Sequence, residues 1–241
     1  MSITTSEAQR ASAWKMIYLA RRNPRLAAAD FAQAWREHSA LGRQCRNVGQ
    51  RVKRVTQCSR VLDLPAQPGI SQNYDGVNLL LLADREAATA IWNDPETLAI
   101  MKPDEPRVFD RYVREFSLVC AEHVLRDGPH SAVVLHGFLR RRPALSSNAF
   151  RLAWRAASPG RQLLRGALGQ ADRLVVNEVV DAPPEGYEYD MVVEWWFDST
   201  EEAQQALAGQ DVRAHLAPAL AALLDADTSV FVLTRVTHAR P

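Results

Sequence analysis

Residues Trp14–Ala20 (WKMIYLA) are apolar at nearly every position. A run of this length suits a strand covered on both faces, although periodicity alone leaves a helix open. RRNP breaks it. From Ala28 to about Gln44 the pattern changes: Phe31, Ala34, Trp35, His38 and Leu41 fall on one face of a helix. Val52–Leu62 carries the β-branched residues of a second strand, and LPAQPGISQN forms a loop. Tyr74–Leu82 is a third strand, Asp84 caps a helix that runs to Trp92, and Arg111–Val124 is a fourth strand. The order is β-α-β-β-α-β, the ferredoxin-like arrangement.

The pattern then recurs. ARRNPRLAAADFAQAWREHS (20–39) aligns without a gap on LRRRPALSSNAFRLAWRAAS (139–158), with nine of twenty positions identical. YDGVNLLLLADREAA from Tyr74 faces YDMVVEWWFDSTEEA from Tyr189, and Phe116, Leu118 and His123 face Phe231, Leu233 and His238. Two units are therefore expected, 14–124 and 133–238, joined by the turn-forming RDGPHS. The second should place strands at Val133–Leu139, Arg173–Val180, Tyr189–Phe197 and Ser229–Val236, with helices opening at Ser146 and Thr200. Val212–Leu224 reads as an extra helix, and its counterpart Glu96–Arg107 as less regular. Within a unit the helices cover one face of the sheet, so strands apolar on both faces need a second sheet. The expected fold is α+β: two ferredoxin-like units closing an intramolecular α+β barrel with helices outside.

Composition narrows the partners. Lys and Arg number 29 against 28 Asp and Glu, a net charge of +1, which does not suit a nucleic-acid binder. No apolar stretch is long enough for a membrane span. Three scattered cysteines form no CxxC and no disulfide framework, which suits a cytoplasmic location. MSITTSEAQRASA has no apolar core and reads as a short disordered lead-in rather than a secretory signal. HxxxH, HxH, GxGxxG, Walker A and GxSxG patterns are all missing, so no metal and no cofactor is expected.

KMIYLARR with Pro24, the helix FAQAWREHSAL, YDGVNLLLL and the stretch DEPRVFD…CAEHVL occur in an order and spacing that resembles the EthD family of the dimeric α+β barrel superfamily. The second unit keeps Phe150, Trp154, Tyr189, Asp190 and His238 and looks like a diverged copy. The resemblance implies a bacterial, mostly cytoplasmic protein near catabolic genes. Relatives include cofactor-free monooxygenases, lactone isomerases, dehydratases, cyclases and stress-response proteins, so the fold does not name the reaction.

Three polar residues of the first unit have apolar counterparts in the second: Tyr18 faces Gly137, His38 faces Ala157 and Asn78 faces Val193. His38 is read as a general acid or base, or else as a core-edge histidine bonded to a backbone carbonyl. Tyr18 and Asn78 would steady a developing enolate or phenolate, or make one buried hydrogen bond each. Trp35 and Phe31 are read as substrate-binding. His123 and His238, kept in both units, read as structural, Asp75 and Asp190 as strand-edge residues, and Trp195 and Trp196 as filling the second unit's pocket. Glu122 is expected as an exposed strand-end carboxylate, and the clusters Arg21-Arg22 and Arg140–Arg142 as solvated loops. The function these residues suggest is a cofactor-independent enzyme working by His-mediated proton transfer on a small, largely apolar carbonyl or phenolic catabolic intermediate, of isomerase, lyase or oxygenase type. The alternative is a non-catalytic small-molecule-binding or stress-response barrel. A small-molecule ligand is the expected partner, and a homodimer beyond the internal pairing stays open.

Overall fold

The computed structural model describes residues 13–158, 162–164 and 166–241. The lead-in expected over the N-terminus lies outside the described residues except for Ala13. Among the described residues eight strands are formed: β1 (Ala13–Ala20), β2 (Val52–Arg60), β3 (Gly76–Leu82), β4 (Ser117–Arg126), β5 (Val133–Leu139), β6 (Arg173–Val179), β7 (Met191–Phe197) and β8 (Val230–Arg240). They close a barrel in the order β1-β3-β2-β8-β5-β7-β6-β4. Every neighbouring pair is antiparallel. The first four strands are contiguous in the ring, as are the last four, and the seams β2·β8 and β4·β6 join the halves. Closure leaves no strand edge unpaired.

The helices are α1 (Phe31–Leu41), α2 (Arg46–Arg51), α3 (Glu86–Trp92), α4 (Glu105–Val108), α5 (Ser147–Ala156), α6 (Thr200–Leu207) and α7 (Pro218–Ala221). Side-chain oxygens start three of them: Asp84 Oδ1 accepts from the Ala87 N–H at 2.8 Å, Ser146 Oγ from Ala149 at 3.2 Å and Ser199 Oγ from Glu202 at 3.2 Å. The expected continuous helix over Val212–Leu224 is instead a 3-10 turn, Val212–His215, followed by the single turn of α7. Pro218 is the reason. It drives Ala217 into an extended conformation (ψ 142°), which ends any helix there. The matching stretch of the first half is the more helical one. A π turn (Thr97–Met101), a 3-10 turn (Lys102–Asp104) and α4 follow one another, with Pro103 and Pro106 in first turns, where a missing N–H costs nothing.

One clasp occurs twice. Asp75 accepts the Arg22 backbone N–H at 2.9 Å and its guanidinium at 2.6 Å, while Arg22 Nε donates to the Leu26 carbonyl at 2.8 Å. Asp190, Arg141 and Leu145 repeat these contacts at 2.9, 2.6 and 2.9 Å. Within the basic clusters, Arg22 and Arg141 are therefore not solvated loop residues: each ties the end of a strand to its neighbour through a buried carboxylate.

The two faces of the barrel wall differ in chemistry. Tyr18 meets Trp35 of α1, so Met16, Tyr18 and Ala20 face the helices. Lys15 meets Glu194 of β7, so Lys15, Ile17 and Leu19 face the lumen. The lumen is not uniformly apolar, as strands with two apolar faces would make it. Lys15 Nζ lies 2.6 Å from Glu122 and 2.7 Å from Glu194, and all three side chains are less than 10% exposed. Glu194 also accepts from Asn177 Nδ2 at 2.8 Å and from Trp196 Nε1 at 3.0 Å. Glu122 is thus a buried ion-pair partner and not an exposed carboxylate. Its pairing needs Lys15, the one charge in a run that otherwise reads as apolar. His136, also in β5's lumen-facing row, is fully buried, and neither ring nitrogen has a hydrogen-bond partner. Burial pulls its pKa down to about 4.

Lys15→Met leaves two carboxylates in the lumen without their cation. It should cost about 3–5 kcal/mol of unfolding free energy, read from denaturant midpoints. A loss below about 1 kcal/mol would show that water reaches the pair. His136 adds an acid sensitivity. Its folded pKa lies below the ordinary 6.5, so its contribution is complete above pH 6.5 and drains away as pH falls toward about 4. His136→Leu should therefore narrow the difference in Tm between pH 7 and pH 5.

Candidate functional site

The helix-facing side of the first half holds a cavity of about 590 Å³, counted to its open mouth. Met16, Leu80, Ile91 and Met101 contribute apolar wall, and Tyr18, His38, Asn78, Glu105 and Arg240 contribute polar groups. Three of the residues singled out from sequence, Tyr18, His38 and Asn78, are thereby brought to one cavity. Phe31 and Trp35 are not among its lining residues. They are almost completely buried in an aromatic cluster with Phe109, with rings 5.1–6.2 Å apart. Trp35 acts on the cavity at one remove, because its Nε1–H donates to Tyr18 Oη at 3.2 Å. Gly76 makes this packing possible. A Cβ there would lie 2.6 Å from the Trp35 ring and 2.8 Å from the Cys58 carbonyl oxygen.

His38 is buried on the last turns of α1, edge-on to Phe109. Its Nδ1 lies 2.9 Å from Asp104 Oδ2. Asp104 is held below the usual carboxylate range by its bonds to Arg107 and His38, against burial, which pushes the other way. It is therefore ionised and can only accept, so Nδ1 carries the proton. Nε2 has no hydrogen-bond partner among the described residues, which leaves its lone pair for a molecule in the cavity. Burial lowers the His38 pKa, and Asp104 opposes but does not reverse that shift, so the ring is neutral at pH 7. The alternative of a bond to a backbone carbonyl is not what the structure contains.

The other polar groups differ in state. Burial raises the Tyr18 phenol well above its ordinary value, so it stays protonated. Because Trp35 donates to the phenol oxygen, the phenol's own proton remains for another acceptor. Asn78 stands opposite Tyr18 in the β1·β3 register, and its Oδ1 is buried without a hydrogen bond. Glu105 accepts the Val113 N–H at 2.8 Å, and burial pushes its carboxyl up to about 7. Sequence reasoning missed Asp104, Glu105 and Arg240. The two acids lie in DEPRVFD, a stretch that the EthD resemblance marked but whose regular turns the prolines disguised. Arg240 reaches the site from the other half of the chain, and no local pattern signals that.

The corresponding region of the second half is filled. A Cβ on Gly137 would lie 2.8 Å from the Phe231 ring and 3.2 Å from Trp195. Trp196 takes no part, because it faces the lumen and donates to Glu194. His123 and His238 occupy matching seam positions, opposite Val176 and Gln57. Among the described residues, no cluster of three His, Cys, Asp or Glu side chains could hold a metal.

A closed antiparallel barrel with helices on its outer wall, and a largely apolar cavity with a few polar groups beneath them, defines an α+β barrel protein. Residues 23–112 match the EthD domain. The match includes His38, Asn78, Asp104 and Glu105 and leaves out Tyr18 and Arg240. Solved structures share the fold, two of them as follows. An anthrone oxidase-like protein superposes with a TM-score of 0.59 at 11% identity, over 95% of this chain and 92% of its own. A candidate monooxygenase from Lactobacillus acidophilus NCFM gives 0.51 at 6% identity, over 94% of each chain. No curated protein matches the sequence. No described helix is long and apolar enough to cross a membrane.

Replacing Asp104 with Asn removes the charge that holds up the His38 pKa. The His38 midpoint, followed by NMR of the ring protons, should move further below 6.5. An unchanged midpoint would show that the 2.9 Å contact does not persist in solution.

Proposed function

We propose that this protein is a cofactor-independent enzyme in which His38 removes a proton from a small, largely apolar carbonyl or phenolic compound. One observation carries the reading: a neutral imidazole whose Nδ1–H is engaged by Asp104 and whose Nε2 is unpaired in a cavity. Asp104 fixes the tautomer and stabilises the imidazolium that forms, as a carboxylate behind a histidine does elsewhere. The Tyr18 hydroxyl donates to the oxygen on which negative charge develops, and Asn78 orients the carbonyl. The product carbanion or phenolate could be reprotonated elsewhere, lose a leaving group or meet dioxygen, giving isomerase, lyase or oxygenase chemistry. The likeness to an anthrone oxidase-like protein and a candidate monooxygenase supports the last of these by fold alone.

In the same reading, 14–124 and 133–238 are ferredoxin-like units of a tandem repeat, and the first is the working half. The duplicated Arg–Asp clasp and the parallel strand orders support this. The protein would act in the cytoplasm on a catabolic intermediate, and any homodimer would form through the helical exterior.

Deuterium exchange from solvent into benzoylacetone and phenylpyruvate tests the chemistry without a known substrate. The full chain should accelerate exchange over buffer. The rate should rise with pH through a midpoint below 6.5, as His38 loses its proton, and then level off. His38→Gln should bring it within about tenfold of background, a loss of the 10²–10⁴-fold typical of general base catalysis. Binding of either compound without any acceleration would favour the non-catalytic barrel instead.

A further inference from the structure

The proposed chemistry leaves one cavity residue without a task. Arg240, near the end of β8, lines the same cavity as His38 and Asn78. Its Nε is buried and has no hydrogen-bond partner, and no carboxylate among the described residues pairs with its guanidinium. Its backbone stands opposite Val55, another lining residue. Nη2 lies 3.6 Å from where a Cβ of Gly42 would be, just past the C-terminus of α1. The carbonyl end of a helix favours a cation without using up its donors. Arg36 and Arg43 of the first half lie close enough to act on the same group of charges, and neither has an ion pair among the described residues. Burial and Arg43 both push the Arg240 guanidinium below its ordinary value, as expected of a cation that lacks a counter-ion.

The balance of charge within the cavity points the same way. His38 is neutral, and Glu105, with a pKa of about 7, is only about half ionised at neutral pH. The recess outside is different. There Lys102 and Arg114 share the lining with Glu105 and Glu115, and Lys102 stands over the Tyr112 ring. Of the two, the inner cavity is the one with a cation left unanswered. The Arg240 side chain is partly exposed, but its Nε is sealed from water with no acceptor, which costs stability unless something completes it.

We propose that the cavity binds a carboxylate with an apolar body, its anionic group held by Arg240 and its apolar part lying against Met16, Leu80 and Ile91. The proposal rests on the function inferred above and names its substrate class: a carboxylic acid whose reacting carbonyl or phenol sits at His38. It also assigns a role to the second half of the chain, which supplies the recognition residue to a site otherwise built by the first.

Calorimetric titration of the full chain with benzoate and phenylacetate, against the neutral isosteres benzamide and phenylacetamide, reads this directly. The acids should bind at least about tenfold more tightly than the amides, the smallest effect expected of a charge-assisted hydrogen bond. Arg240→Gln should erase that preference, Arg240→Lys should keep part of it, and Arg43→Gln should weaken the acids only a few-fold. Equal affinity for acids and amides, or no binding of either, overturns the proposal. So does a preference that survives Arg240→Gln and disappears in Lys102→Gln or Arg114→Gln, which would move the anion to the outer recess. The ratio of acid to amide affinity reads Arg240, and the deuterium exchange rate reads His38. A failure of the base reading would therefore show in the exchange rates, and a failure of the Arg240 assignment in the affinities.

Discussion

A lysine ammonium sealed from water must find negative charge within hydrogen-bonding reach, and Lys15 finds it on both sides. Glu122 comes from the strand beside it, and Glu194 comes from the far half of the chain. That second contact spans the lumen, so it constrains how the two groups of four strands face each other. Shifting a strand by one residue would turn Lys15 toward the helices and leave two carboxylates unanswered. The apolar residues around the network supply most of the driving force for folding, but they would tolerate several registers. The ion pair does not. Trp196 and Asn177 complete the lone pairs of Glu194, which keeps such a group affordable in a low-dielectric interior.

The same alternation that aims Lys15 inward aims Tyr18 outward. Strand β1 therefore serves two chemistries at once, holding the lumen together through one row of side chains and building the cavity wall through the other. The site inherits its rigidity from the barrel. Tyr18 and Asn78 sit on adjacent hydrogen-bonded strands, and His38 is carried by a helix whose Trp35 packs onto Gly76 of β3. Only Asp104 and Glu105 come from short helical turns, so the acid side of the dyad is its softer side.

Much of the architecture was legible because it rests on period and punctuation. Seven strands appear within a few residues of their expected places, since runs of Val, Leu and Ile bounded by Pro, Gly and Asn leave little freedom; the fourth, expected from Arg111, begins only at Ser117, because Val113–Phe116 forms a 3-10 turn. The helix over 212–224 was misread because alanine and leucine content outweighed Pro218, whose effect on the residue before it decides the local backbone. The polar lumen escaped notice for a different reason. Lys15, Glu122, His136, Asn177 and Glu194 are each a single polar residue in an apolar strand, and only the closure of the barrel gathers them. Tyr18, His38 and Asn78 stood out because the second half lacks them. Arg240 has no such contrast, and its meaning depends on a seam that joins residues 185 apart in sequence, Val55 and Arg240.

Closure of the hydrogen-bonded ring also bears on how a molecule gets in. Parting two strands would break a ladder that nothing else can replace, so the barrel wall is shut on any fast timescale. The cavity is bordered instead by the π turn at Thr97–Met101 and the short turns that follow, which also line the outer recess. That segment carries Asp104 and Glu105. Entry and reactivity are then linked: a movement of that segment that admitted a bulkier guest would also carry Asp104 away from His38.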